Sequence, residues 1–288
     1  MRTLRDRSGE VLGRRYRLEA LIARGGQSAV YRARDLRDGD GVAIKVLYDA
    51  SQRDEAFVER MFREARAMTT LMRTHAVRAL DQCFTDDGCM ALVMELLHGE
   101  ELEDRLRALE AREQRMSAAE VVQILDPIAA TLDVAHERGI VHRDLKPSNI
   151  FVIDAAHGGG VRLLDFGFAK FVHLRGVTLQ GTVAGSPSYV APEAWLGDPA
   201  RLDQRIDVYG FGAIVFRCLA GRPPFVGDDA FQLMRAVTRD PRPSLRAFRP
   251  ELPPAVDDWV RQSLAVEPNE RFVRVGGQLR ALCSALQV

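Results

Sequence analysis

The chain has 288 residues, 47% hydrophobic and 28% charged, with a formal net charge of +0. That balance excludes a disordered chain and argues against a nucleic-acid protein relying on a basic surface, and no apolar run approaches the ~18 residues of a membrane span. The four cysteines (Cys83, Cys89, Cys218, Cys283) form no CxxC pair, so neither a disulfide scaffold nor a zinc ribbon is expected and a reducing cytoplasmic setting is the simplest.

Residues 1–15 read as a polar N-terminal arm whose basic residues lack the apolar stretch of a secretory signal. Strand patterns follow at Tyr16–Ile22 and Ala29–Ala33 around a glycine turn. Asp38-Gly-Asp-Gly41 then reads as a hairpin turn before a strand at Val42–Leu47. Phe57, Met61, Ala65, Met68 and Met72 recur at helical spacing over 56–72. Two more strands are expected around 77–84 and 89–96, turned at Asp86-Asp-Gly88. Ser117 with Glu120 makes a capping box, behind which Val121, Ile124, Leu125, Ile128 and Leu132 form one apolar stripe. Short strands flank His157-Gly-Gly-Gly160. Residues 171–190 carry no period and read as a long functional loop. Helices are expected at 207–220, 228–238 and 255–266, with a last one after Arg271. The boundary between a strand-rich lobe, 16–95, and a mainly helical lobe, 96–288, falls near 96–100.

Only three of the 40 basic residues are lysines: Lys45, Lys146 and Lys170. A chain that writes arginine nearly everywhere keeps lysine where a compact ammonium on a flexible stem is needed. Lys45 interrupts an apolar strand, so a carboxylate or phosphate is expected beside it. Glu64 lies on the apolar side of the 56–72 helix and is a candidate partner. In His142-Arg-Asp-Leu-Lys-Pro-Ser-Asn149 an acid, an ammonium and an amide share one turn. Asp144 could orient or deprotonate a hydroxyl, Lys146 could neutralise a phosphoryl oxygen, and Asn149 supplies a hard oxygen suited to Mg²⁺. Sixteen residues on, Asp165-Phe-Gly167 ends a short strand with a carboxylate and a glycine.

These pieces, in this order, resemble the eukaryotic-like (Hanks-type) protein serine/threonine kinases, particularly the bacterial ones. The resemblance runs from about Tyr16 to Leu282. It covers Val42–Lys45, Glu64, His142–Asn149, Asp165–Gly167, Ala191-Pro-Glu193, Asp207 and Arg271. It implies an α+β bilobal protein-kinase fold, with an antiparallel sheet plus one helix in the N-lobe and a mainly helical C-lobe. It implies ATP and Mg²⁺ as cofactors and protein substrates bearing Ser or Thr. By the same resemblance Lys45 contacts the α/β-phosphates and is held by Glu64. Asp144 accepts the hydroxyl proton, Lys146 steadies the γ-phosphate, and Asn149 and Asp165 hold the metal. The adenine is sandwiched by Val30, Ala43 and Phe151, with Gly25 and Gly26 in the phosphate loop. Met94 is the gatekeeper, Glu95 to Leu97 the hinge, and Glu101 the ribose contact. Met68, Leu80, His142 and Phe166 match an apolar column linking the lobes. Lys146 and Ser186 mark the Ser/Thr form of the loop. Arg143 and Lys170 imply a phosphate on the activation segment, at Thr182 first and Thr178 second. A dimer would then serve trans-autophosphorylation.

The glycine-rich loop departs from the family's G-x-G-x-x-G, with Ala23 at the first position and Ser28 at the third. That departure favours, as the alternative, a pseudokinase acting as a nucleotide-binding signalling scaffold; the retained Lys45, Glu64, Asp144, Asn149 and Asp165 oppose it. A small-molecule phosphotransferase of the same fold would generally lack the full activation segment and Ala-Pro-Glu anchor. The six histidines show no metal-ligand spacing.

Overall fold

The computed structural model describes residues 6–25, 28–47, 70–166, 187–197 and 202–288. The chain separates into two units, Met1–Met72 with Val77–His98, and Arg73–Ala76 with Gly99–Val288.

The first unit is built on strand alternation. β1 (Val11–Leu12), β2 (Tyr16–Arg24), β3 (Ser28–Asp35), β4 (Gly41–Leu47), β5 (Ala79–Phe84) and β6 (Met90–Glu95) form an antiparallel sheet in the order β1-β2-β3-β4-β6-β5. Tyr31 on β3 lies opposite Ile44 on β4, and Ile44 opposite Val93 on β6. All three are fully buried and belong to one apolar cluster with Leu18, Val42, Val46 and Ala91. Because side chains alternate with period two, the intervening residues fall on the other face. The β3–β4 connection turns on Gly39 at φ 83°, with the Asp40 amide donating to Asp38 Oδ1 at 2.9 Å.

The expected polar arm is only partly an arm. β1 extends the sheet, and Leu12 is buried in the core cluster. The Gly9 amide donates to Leu18 O at 2.8 Å, and the Leu18 amide to Glu10 O at 2.9 Å. Arg15 then grips Asp35 through Nε and reaches Asp81 at 3.1 Å, while the Tyr16 hydroxyl donates to the same Asp81 oxygen at 2.7 Å. The polar composition of this stretch reflects these hydrogen bonds as much as exposure.

The second unit carries a three-stranded antiparallel sheet, β7 (Gly99–Glu101), β8 (Ile150–Ile153) and β9 (Val161–Leu163), ordered β7-β8-β9. Its helices are α1 (Leu102–Glu110), α2 (Ala118–Glu137), α3 (Pro192–Leu196), α4 (Arg205–Ala220), α5 (Ala230–Arg239), α6 (Ala255–Ser263) and α7 (Val275–Leu286). The capping box starts α2, the Glu120 amide donating to Ser117 Oγ at 3.2 Å and the Ser117 amide to Glu120 Oε2 at 2.8 Å. Val121, Ile124, Leu125, Ile128 and Leu132 form its buried stripe. α4 has no polar stripe: every residue from Asp207 to Ala220 is buried, so other elements pack around it on all sides. Two glycines permit that approach. A Cβ at Gly210 would lie 3.2 Å from both Leu145 Cβ and Leu145 O, and one at Gly212 would lie 2.8 Å from Ser263 Cβ.

Candidate active site

In the first unit, the face of the sheet opposite the apolar cluster holds the residues the sequence singles out. Val30 pairs with Lys45, Lys45 with Leu92, and Ala43 with Met94, so alternation places all five side chains on one face. Lys45 is buried at 8% exposure. Gly25 closes the β2–β3 turn, its amide donating to Ser28 O at 2.8 Å. Ala23 and Ser28 lie within β2 and β3, and Ala23 pairs with Val30. The two departures from the glycine pattern are thus strand residues. Glu95 ends β6 with its carboxylate on Arg78, accepting from the Arg78 amide at 2.9 Å and from Nε at 3.0 Å. Its amide donates to Arg78 O at 3.1 Å, and Leu96 and Leu97 follow, half-buried. Leu80, on β5, is exposed.

In the second unit the loop His142–Asn149 is hung on α4. Asp207, in the first turn of α4 and 1% exposed, accepts from the His142 amide at 2.8 Å and from the Arg143 amide at 2.8 Å. It also meets His136 Nε2 at 2.7 Å. Arg143 takes a left-handed conformation, φ 65°, which costs on the order of 1–3 kcal/mol in a residue with a side chain. The carboxylate gripping two consecutive amides offsets that cost.

His142 is fully buried, and both ring nitrogens are engaged. Nδ1 accepts from the Asp144 amide at 3.3 Å and Nε2 donates to Leu164 O at 2.8 Å, which sets the ring proton on Nε2. The ring therefore ties the loop to the strand end that carries Asp165. Phe166 packs edge-on to it at 4.9 Å between ring centroids. Asn149 donates from Nδ2 to Asp144 O at 2.7 Å, and the Leu164 amide donates to Asn149 O at 2.8 Å. Lys146 Nζ lies 3.0 Å from Asp144 Oδ2. Asp165 is itself left-handed, φ 53°. Asp144, Lys146, Asn149 and Asp165 are thus gathered by backbone ties at each end of one short segment.

Phe151 lies on β8 opposite Glu101 on β7. Burial raises the pKa of Glu101, helped by nearby Asp104 and Glu103 and opposed by Lys146. Glu101 accordingly shares the electrostatic neighbourhood of Lys146 and Asp165.

The donor set suits Mg²⁺. With Nδ2 committed to Asp144 O, the amide oxygen of Asn149 is the atom left for a cation, and Asp165 supplies a carboxylate; both are hard oxygens. Among the described residues, no three His, Cys, Asp or Glu side chains form a metal-ligand group. A cation here would complete its shell with water and phosphate oxygens, as Mg²⁺ does.

Two buried arginines complete the second unit. Arg271 spends all five N–H donors: on Glu193 Oε1 at 2.8 Å and Oε2 at 2.7 Å, and on the carbonyls of Ala265, Arg205 and Val266. Both partners are among the residues that carry the family resemblance. The second arginine is not. Arg217, on α4, donates to Glu103, Glu110 and the Tyr189 hydroxyl. The signal for it was present, since Arg217 is a lone cation in the apolar run Phe211–Ala220, the same anomaly that marks Lys45. The contact of His136 with Asp207 was also missed.

Gly26, Glu64, Met68, Gly167, Lys170, Thr178, Thr182 and Ser186 lie outside the described residues, as does nearly all of the expected 56–72 helix.

Comparison with known proteins agrees with this geometry. The model of the protein kinase domain matches residues 16–276. The chain is 37% identical over 287 residues to the serine/threonine-protein kinase PknA of Mycobacterium tuberculosis, spanning 98% of this chain and 63% of that protein. It is 34% identical over 270 residues to the serine/threonine-protein kinase pkn3 of Myxococcus xanthus, spanning 91% of this chain and 48% of the relative. The chain thus spans about half to two thirds of the length of these relatives. The crystal structure of the PknI kinase domain of Mycobacterium tuberculosis matches with a TM-score of 0.76 and 26% identity, covering 98% of this chain and 99% of that one.

Proposed function

Since the chain belongs to the protein kinase domain family, we propose that it transfers the γ-phosphoryl group of ATP to serine and threonine hydroxyls of protein substrates. The observation that carries this reading is the tethered loop. Asp144 is held beside Lys146 at 3.0 Å on a segment fixed by Asp207, His142 and Asn149.

Asp144 is the group that accepts the acceptor hydroxyl's proton, and Lys146 neutralises an oxygen of the transferring phosphoryl group. Asn149 and Asp165 would hold Mg²⁺, which when bound would neutralise charge on the phosphates. Lys45 serves the α- and β-phosphates with Glu64 as its partner. Val30, Ala43 and Phe151 line the adenine, with the Glu95–Leu97 backbone reading its edge and Glu101 at the ribose. Phosphoryl transfer asks little covalent chemistry of the protein, so the rigid placement of these groups is the main contribution. Thr182, with Thr178 second, is the site whose phosphate pairs with Arg143 and Lys170, placed there by a second copy of the chain. The four unpaired cysteines support a cytoplasmic setting. No helix among the described residues is long and apolar enough to cross a membrane.

Incubation with labelled ATP, Mg²⁺ and a histone mixture tests the reading. Asp144→Asn should lower incorporation by about 10²–10⁴-fold, the usual contribution of a general base, without shifting the melting temperature. Undiminished incorporation in that variant would remove Asp144 from the proposed role.

A further inference from the structure

Arg217 stands out as a buried cation that the proposed chemistry does not use. Its five donors are all spent: Nε and Nη2 on the two Glu110 oxygens at 2.8 and 3.1 Å, Nη1 and Nη2 on the two Glu103 oxygens at 2.7 and 3.3 Å, and Nη1 again on the Tyr189 hydroxyl at 2.7 Å. Arg107, one turn after Glu103 on α1, adds an outer cation at 2.8 Å, so the charges alternate and balance. Arg217, Glu103 and Tyr189 are buried, and the Glu110 side chain is three-quarters so. Such a network is worth little as a source of stability, because desolvating its charges costs about what their attraction returns. It is worth more as a device that sets one geometry.

The group being set is Tyr189, the last residue of the 187–189 turn, two residues ahead of Ala191-Pro-Glu193. Glu193 is fixed independently by Arg271. The backbone of Tyr189 also reaches the catalytic loop's own support. A Cβ at Gly210 would lie 3.2 Å from Leu145 O and 3.6 Å from Tyr189 O, so both segments rest against the same glycine of α4. Leu145 stands between Asp144 and Lys146. The 187–190 backbone, half-buried except at Tyr189, thus lies against the same glycine as the backbone that carries Asp144.

We propose that Arg217 is a positioning residue for the acceptor: with Glu103 and Glu110 it locks the Tyr189 hydroxyl, and so fixes the backbone track along which the acceptor polypeptide is held next to Asp144. This rests on the phosphoryl-transfer reading above. It predicts a particular kinetic signature, because the track serves the acceptor and the nucleotide is held by other residues.

The test is Tyr189→Phe, which removes one hydroxyl and keeps the ring. With histone as acceptor, its KM should rise about tenfold, as loss of a charge-assisted hydrogen bond implies, while the KM for ATP moves by less than about twofold. Because Arg217→Met leaves two carboxylates without their cation and endangers folding, it is paired with the triple variant Arg217→Met/Glu103→Gln/Glu110→Gln, which removes the charges together. That variant should fold and still show the raised acceptor KM. If Tyr189→Phe leaves the acceptor KM unchanged, or the triple variant restores it to the wild-type value, the clamp is only structural and the proposal is overturned. A wild-type chain that transfers phosphate to no acceptor would overturn both readings, whereas an active wild type with an indifferent Tyr189→Phe overturns the clamp alone.

Discussion

The two ends of α4 do similar work by different means. At its N-terminal end one carboxylate, Asp207, collects two backbone amides and a histidine ring. Ten residues on, one guanidinium, Arg217, collects two carboxylates and a phenol. The first end needs a single specified residue for most of its grip, since amides are present whatever the loop sequence. The second needs four side chains chosen together, from α1, from α4 and from the turn at 187–189. Holding a backbone is thus cheap to encode and easy to recognise. Holding side chains takes co-specified residues more than a hundred positions apart.

The largest effect should come from the N-terminal end. Asp207→Ala removes the acceptor of two loop amides, that of His142 buried, and releases the left-handed Arg143, so phosphoryl transfer should fall by about 10²-fold or more. Stability should fall by about 3–5 kcal/mol, measured by urea denaturation. A fully active Asp207→Ala would show that the loop holds its shape without α4. Next is the other buried arginine. Arg271→Met leaves Glu193 buried and uncompensated, and should cost about 3–5 kcal/mol in the same assay. If it costs under about 1 kcal/mol, five satisfied donors are no guide to the consequence of deletion, and Arg217 must be judged by its kinetics alone. The smallest effect is read at Cys218, beside Arg217 in the chain. Burial pushes that thiol up to about 12. In the folded protein it should resist iodoacetamide at pH 8, and Arg217→Met should make it the cysteine whose labelling rises most. Equal labelling in both proteins would mean that the clamp does not keep this part of α4 closed.

Much of this was legible beforehand, for reasons that differ by element. The Ser117–Glu120 box and the stripe behind it are local, with every interaction within a few residues, so pattern alone located α2. The face of the first sheet could be read because period two is rigid: once Ile44 points to the core, Lys45 must point away. The loop from His142 to Asn149 is recognisable because its chemistry and its fixings occupy one stretch. What escaped was non-local or short. β1 is a two-residue strand whose pairing depends on β2. α1 begins at Leu102 without a side-chain cap and carries five charges in nine residues, so its pattern is weak. Its buried Glu103 makes sense only when Arg217 is brought to it. The glycine-rich turn is a mixed case: Ala23 and Ser28 depart from the glycine pattern, and the structure places both in paired strands.

The complete burial of α4 from Asp207 to Ala220 has a consequence in time as well as in space. Amides inside a helix that is packed on all sides have no local opening that reaches solvent, so they exchange hydrogen for deuterium only when the whole unit unfolds. The anchor of the catalytic loop is therefore renewed on the clock of global unfolding, many orders slower than the motions of surface loops. In an exchange experiment these amides should form the last protected block, and a ligand that tightens the unit should slow them all by one common factor.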